Sequence, residues 1–236
     1  MGAPMSIATK PLRKLPPLEN GDRLTRDEFE RRYHAMPKLK KAELIEGIVH
    51  MPSPVSFGYH GKKDVDFAWL LRHYTIFTPG VEAGSNSTVR LDLDNEPQPD
   101  HVLLVLPEFG GRIKIDVDGY VNGSPELVVE IAGSSASYDL GEKLKIYRRN
   151  MVLEYVVWRV YDEAIDWFAY RDGNFERKAP DEDGCYRSTI FPGLWVDELA
   201  VLNREFRTVL DALTRGLASP EHAAFVAKFA AAKKPA

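Results

Sequence analysis

One cysteine, Cys185, is all the thiol chemistry this chain carries, which excludes an intramolecular disulfide and a thiolate zinc cluster. Such sparing use fits a reducing cytoplasm, the compartment expected here. Cys185 lies in the acidic, turn-like stretch DEDGCYR and is expected to be exposed or half-buried. Long apolar runs are missing too. Stretches such as Val102 to Pro107 span a few residues, far short of the roughly 20 that cross a bilayer, so no transmembrane helix is expected. The N-terminal stretch MGAPMSIATKPLRKLPPLENGDR is basic without an apolar core, so no secretory signal is expected either. Met1 to Ser6 fits the short, permissive N-myristoylation pattern, with Met5 as an alternative start. An excess of positive charge is also absent. With 31 Lys/Arg against 35 Asp/Glu the net charge is −4, which argues against a general nucleic-acid coat. Distribution matters more than the total, and residues 1–41 hold ten Lys/Arg against five Asp/Glu. That segment reads equally as a solvated tail with one amphipathic helix or as an arm that contacts nucleic acid.

What is present is the composition of a globular domain: 236 residues, 44% hydrophobic and 28% charged. The expected organisation is a flexible Pro-rich, basic tail over 1–20, a single domain over 21–218, and a helix end with an Ala/Lys tail over 219–236. Thr25-x-x-Glu28 reads as a capping box opening a helix to about His34. ELIEGIVHM reads as a hairpin turning at Glu46-Gly47. A helix from Tyr59 to Tyr74 is expected, with Val65, Ala68, Trp69 and Arg72 or His73 at helical spacing, and Leu70 and Leu71 widening that face. Strands are expected over Ser87 to Leu93, Asp100 to Leu106, Glu126 to Ala132 and Leu153 to Val160. A helix over Leu140 to Arg149 precedes the last of these. AIDWFAYRDGNFERK reads as a hairpin turning at Asp172-Gly173, with its aromatic residues in the core. FPGLWVDEL reads as a loop before a final helix from about Asn203. Strands apolar on both faces, joined across a helix, imply an α/β or α+β fold with a central mixed sheet covered on both sides.

Two acids and a lysine depart from this pattern. In ELVVEIA both strand faces are apolar except at Glu130, so this is an interior strand holding a carboxylate. A buried unpaired ion costs several kcal/mol, so Glu130 must be neutralised, paired or bound to a metal. Asp100 opens the apolar run HVLLVL directly after Pro99, either as a turn residue or as a second carboxylate on the same sheet. Two such acids can share Mg²⁺, which prefers oxygen ligands. On a helical wheel Leu140, Leu144, Tyr147 and Met151 form the stripe expected to face the sheet. Lys143 flanks that stripe, whereas Lys145 points to solvent. Lys143 is thus the lysine able to reach Glu130, unless it merely pairs with Asp139 one turn away.

The order ELIEG, Tyr59-His60 opening a helix, QPDHVLLV, PELVVEIAGSS, DLGEKLKIY and EYVVW resembles the Uma-type family of restriction endonucleases, within the PD-(D/E)XK nuclease superfamily. The resemblance covers roughly Leu24 to Leu202 and implies a restriction-endonuclease-like core. It places the family's acids on Asp100 and Glu130, with the backbone carbonyl of Ile131 as a further metal ligand. The usual lysine position, two residues after the glutamate, holds Ala132 here. The shifted-lysine variant of the family matches Lys143. The resemblance also assigns Glu43 as an extra metal or water ligand and His60 as a residue near the site. AGSS after Glu130 departs from the family's usual loop.

The resemblance implies hydrolysis of DNA phosphodiester bonds with Mg²⁺, or Mn²⁺ in its place. A homodimer fits that activity, since cutting both strands of a duplex takes two sites. Two rivals remain open: an inactive nuclease-fold protein acting as a DNA-binding or assembly module, and a nuclease for RNA or another phosphodiester.

Overall fold

The computed structural model of the protein describes residues 15–52 and 54–232. The Met1 to Ser6 pattern and most of the expected N-terminal tail lie outside the described residues. The chain opens with α1 (Arg26–His34), the hairpin β1 (Glu43–Ile45) and β2 (Ile48–His50), α2 (Lys62–Ile76) and β3 (Val81–Ser85). It continues through β4 (Val89–Arg90), β5 (His101–Val105), β6 (Lys114–Ile115), β7 (Val121–Asn122) and β8 (Leu127–Ala132). Helices α3 (Ala136–Tyr138) and α4 (Leu144–Arg149) then lead to β9 (Glu154–Arg159), β10 (Ala164–Arg171) and β11 (Asn174–Lys178). The C-terminal part comprises β12 (Cys185–Arg187), β13 (Trp195–Asp197), α5 (Glu198–Leu202), α6 (Phe206–Leu217) and α7 (Pro220–Ala232).

Six strands form the central sheet in the order β11-β10-β9-β8-β5-β3. Within this sheet β8 and β9 run parallel and the other neighbours antiparallel, and the helical segment from α3 to α4 is the crossover between β8 and β9. β8 lies inside the sheet, with all six of its side chains buried, as a pattern apolar on both faces except at Glu130 requires. On one face Leu103, Leu127, Val129, Ile131 and Trp158 meet Phe67, Leu70, Leu71 and Tyr74 of α2 and the C-terminal helices. On the other, Val102, Val128, Ala132 and Val157 meet Ile146 and Tyr147 of α4. A third cluster joins Phe29 of α1 to Leu44 and Val49 of the first hairpin.

The local signals work where turn chemistry dictates the backbone. Thr25 caps α1, its side chain accepting from the Glu28 N–H at 3.4 Å. Both hairpins turn through two left-handed residues, Glu46-Gly47 and Asp172-Gly173. Gly47 has φ +70°, and a Cβ there would meet the Leu24 carbonyl oxygen at 3.3 Å.

Several expectations fail. In α2 the buried stripe is Phe67, Leu70, Leu71 and Tyr74, not the one running through Val65, which is 64% exposed. Both stripes have helical spacing, and the phase burying more apolar area faces the sheet. Of Ser87 to Leu93 only Val89–Arg90 is strand, in a small sheet with β6 and β7, while the central sheet gains β3 instead. Part of the expected FPGLWVDEL loop pairs with β12 as β13, and Asp197 caps α5 by accepting from the Ala200 N–H. Cys185 is only 1% exposed because it points inward from β12. The single final helix is two, α6 and α7, with Phe229 of α7 in the core.

The crossover helix departs most usefully. It widens at Asp139–Lys143, where the Leu144 N–H donates five residues back to the Asp139 carbonyl. Its buried stripe is Asp139, Lys143, Ile146 and Tyr147, while Met151 is exposed. Polar side chains occupy half of that stripe, so apolar weighting selects the neighbouring one. Lys143 therefore lies within the buried face, not on its flank.

The phase of α2 has a direct test. Leu70→Ala is expected to lower the unfolding free energy in urea by about 2–5 kcal/mol. Val65→Ala should change it by about 0.5 kcal/mol or less.

Candidate active site

The charged side chains gather at one end of the central sheet. Glu43 begins β1, Asp100 immediately precedes β5, Glu130 belongs to β8, and Lys143 ends the widened turn before α4. His60 lies in another widened turn, Phe57–Gly61, which runs into α2. β5 and β8 pair with His101 opposite Val129, so the next step in register sets Asp100 across from Glu130.

Lys143 is the hub of one half of the site. Its ammonium donates to Glu130 Oε1 at 2.9 Å and to Glu43 Oε1 at 3.0 Å, and lies 4.0 Å from Asp139. Tyr147 adds a hydrogen bond to Glu130 Oε1 at 3.0 Å, and the Gln98 N–H one to Glu43 Oε1 at 2.7 Å. Glu43, Glu130, Asp139 and Lys143 are all buried. Burial pushes the Glu130 carboxyl up to about 8, with Asp139, Asp100 and Glu43 adding to the push and Lys143 opposing it. Burial raises Asp139 in the same way. Burial acts upward on Glu43 too, but the Lys143 and Lys41 ammoniums and the Gln98 N–H outweigh it and hold that carboxyl low. Desolvation favours a neutral Lys143, yet the carboxylates around it keep it charged well beyond the usual lysine range.

The other half centres on Asp100. Its Oδ2 accepts from the Ile131 N–H at 2.8 Å, and its Oδ1 lies 3.7 Å from Lys41 Nζ and 3.6 Å from His60 Nε2. The Ile131 carbonyl accepts from His60 Nδ1 at 2.9 Å. Asp64, one turn after His60, brings a further carboxylate. One ligand atom each from His60, Asp64 and Asp100 lies within 4.8 Å of the others. Behind Asp64, His101 Nε2 approaches Asp64 Oδ1 to 3.1 Å. Burial acts upward on Asp64, but His101, His60 and Lys41 outweigh it and keep the carboxyl low.

Among protein-family models, that of the Uma2 family, described as "putative restriction endonuclease", matches residues 26–202. The chain belongs to the Uma2 family. A comparison with curated protein sequences finds no match. Among solved structures, the chain resembles one described as a putative nuclease belonging to DUF820 from Anabaena variabilis ATCC 29413. The two are 13% identical, with a TM-score of 0.55 over 76% of this chain and 98% of the other. That likeness establishes a shared fold.

Within this Uma2 chain, the structure brings Glu43, Glu130 and Lys143 into one contact network. Asp100, His60 and Ile131 form a second network, joined to the first through the strand end at Glu130-Ile131. Lys143 approaches Asp139 as well as Glu130, so both alternatives for this lysine are realised together. Glu46 lies in the turn and pairs with Arg149, away from the site. Sequence reasoning missed Asp64, His101, Tyr147 and Lys41. Asp64 carried a usable signal, since four residues from His60 is one helical turn on one face. No helix among the described residues is long and apolar enough to cross a membrane.

The raised Glu130 carboxyl has a sign that can be measured. From pH 4.5 to about 8 the folded chain keeps a proton that the unfolded chain has lost, so this group's contribution to stability falls as pH rises. Glu130→Gln removes the titration. In EDTA the variant is expected to gain stability relative to the parent as pH is raised through that window, read from urea unfolding.

Proposed function

We propose that this protein is a metal-dependent endonuclease that hydrolyses DNA phosphodiester bonds, with Asp100, Glu130 and Lys143 at its catalytic centre. The observation that carries this reading is the buried Lys143 ammonium, held against Glu130 and Glu43 at the sheet end that also presents Asp100. Packing alone has no use for such a cluster. A buried ion pair is at best weakly stabilising and often less favourable than apolar side chains of similar volume, whereas active sites require charged groups set in fixed positions.

The charge balance of the site fits a divalent cation. Five carboxyl groups, Glu43, Asp64, Asp100, Glu130 and Asp139, lie near the Lys41 and Lys143 ammoniums, and a divalent cation would favour the ionised form of those that burial raises. A bound Mg²⁺ or Mn²⁺ would lower the pKa of a water and stabilise negative charge on the scissile phosphate. The remaining work falls to the chain itself. Lys143 is fixed by three carboxylates and offers a positive charge to the phosphate or a hydrogen bond to the attacking water. Glu130 and Glu43 hold that ammonium in place, and Asp100 is fixed in turn by the Ile131 N–H. Lys41, less buried than Lys143, adds charge at the mouth.

The rim suits a nucleic acid. Phe57 and Tyr59 are exposed on the same turn as His60, Tyr59 packs on exposed Tyr161 at 5.2 Å, and Lys62 lies over the Phe57 ring. Aromatic faces beside lysines supply stacking and phosphate neutralisation. A homodimer would supply the second active centre for a duplex cut.

With Mg²⁺ or Mn²⁺ the purified protein should nick supercoiled plasmid. Asp100→Asn, Glu130→Gln and Lys143→Met should each slow nicking by at least about a hundredfold, with folding checked by circular dichroism. Nicking that survives all three substitutions removes the assignment. Metal-independent DNA binding without nicking would favour the inactive nuclease-fold alternative.

A further inference from the structure

We propose that a cavity beside the acid cluster, between the end of α1 and the loops at Asn86 and Tyr120, takes one unstacked base of a nucleic-acid strand and favours a base that carries an exocyclic amino group. The inference rests on the nuclease reading for the strand. The choice of base rests on the cavity's own chemistry.

The cavity has a volume of 310 Å³, at the small end of the range for ligand sites. Tyr33 and His34 line it from the last turn of α1, with Lys40, Asn86, Gln98 and Tyr120 around them. It shares a wall with the candidate active site. Lys41 Nζ lies 3.5 Å from Asn86 Oδ1 and 3.7 Å from Asp100 Oδ1. The Asn86 N–H donates to the Asp100 carbonyl at 3.0 Å, and the Gln98 N–H to Glu43. A base neighbouring a phosphate held at Asp100 is therefore within reach of the cavity.

Gln98 supplies the selectivity. It is 6% exposed, and its Nε2 donates to Tyr33 Oη and Thr88 Oγ1, each at 3.2 Å. Tyr33 spends its own proton on the Lys40 carbonyl, so towards Gln98 it can only accept. That fixes which end of the amide faces Tyr33. Gln98 Oε1 accepts no hydrogen bond among the described residues and stays open to the cavity it lines. A buried amide whose donors are both used and whose acceptor is free calls for a donor from outside. The amino group of cytosine or adenine is such a donor, whereas uracil presents an acceptor at the position where cytosine carries its amino group.

Tyr120 supplies the stacking surface. The Arg90 guanidinium lies over its ring at 4.7 Å, and Arg90 is itself held by Glu30 at 2.9 Å and by Asp116. The ring is thus fixed from behind. His34 adds a second ring nearly parallel to it, with 11° between the planes and centroids 6.4 Å apart. Exposed Lys40 places positive charge on the same cavity, at the end of the locally basic N-terminal stretch. Aromatic faces, a lysine for the backbone and a hydrogen bond to the base edge are the parts from which single-stranded recognition is built.

The test is strand binding by the full chain in EDTA, where no metal-dependent cleavage occurs. Labelled oligonucleotides of about twelve dC or dU nucleotides are followed by fluorescence anisotropy. The dC strand should bind at least about threefold tighter than the dU strand, as expected for one hydrogen bond. Gln98→Met should bring the two strands to parity. Tyr120→Ala should cost about fivefold or more on both strands, and Tyr120→Phe should stay within about twofold of the parent. Lys40→Ala should weaken both strands alike, because it meets phosphate and not base. The Tyr120 pair decides the matter should Gln98→Met fail to fold, as judged by circular dichroism. Equal affinity of the parent for both strands overturns the proposal, as does parent-like binding in Tyr120→Ala. Cytidine monophosphate binding as tightly as the dC strand would assign the cavity to a free nucleotide and overturn it as well. Plasmid nicking without a base preference would leave the nuclease reading standing and sink this one; a base preference without nicking would do the reverse.

Discussion

An ammonium group deprived of water governs this molecule. Lys143 lies in the buried stripe of the crossover helix, where desolvation would favour a neutral amine. It stays charged because Glu130 reaches it from the central strand, Glu43 from the first hairpin and Asp139 from its own helix. Three separate segments must be in place before that charge is tolerated. The hairpin, otherwise a peripheral layer on α1, is thereby tied to the centre of the sheet. Glu43 also accepts from the Gln98 N–H, which links the hairpin to the chain entering β5 just ahead of Asp100.

Ile131 joins the two halves of the site through its backbone. Its N–H orients Asp100 and its carbonyl orients His60, while its side chain packs in the α2-side core. Its neighbour Glu130 points to the opposite face, towards Lys143. Strand alternation thus sends two chemistries to two sides of one sheet end. On the α4 side lies a lysine held by carboxylates. On the α2 side lie a histidine and two aspartates with their ligand atoms close together. Asp100 stands where the faces meet, just ahead of β5 and opposite Glu130 in register.

Local chemistry was legible where few residues decide the outcome. Both hairpin turns, the Thr25 cap and the interior position of β8 follow from residue types at fixed offsets. Glu130 was identifiable because a charged residue in a strand apolar on both faces needs a partner. The helices were less legible. In α2 two stripes share the same period, and only the large side chains across the interface choose between them. In the crossover helix charged side chains are themselves part of the buried face, so Asp139 and Lys143 hid the true stripe from a reading based on apolarity. Lys143 was still separable from Lys145, because a shift of the stripe by one position leaves Lys145 exposed.

The amino-acid sequence by itself determined the mixed α/β architecture, family membership and the carboxylate pair on adjacent strands, since these depend on periodicity and on the order of short motifs. Tertiary structure alone decided which side chains share a charge. That Glu43 meets Lys143 across a hundred positions, or that His101 backs Asp64, depends on distances set by packing. The same packing, by burying Glu130 among other acids, raises its carboxyl to about 8. Residue types name the candidates for such a site; desolvation and proximity, which exist only in the folded chain, give each its charge and its partner.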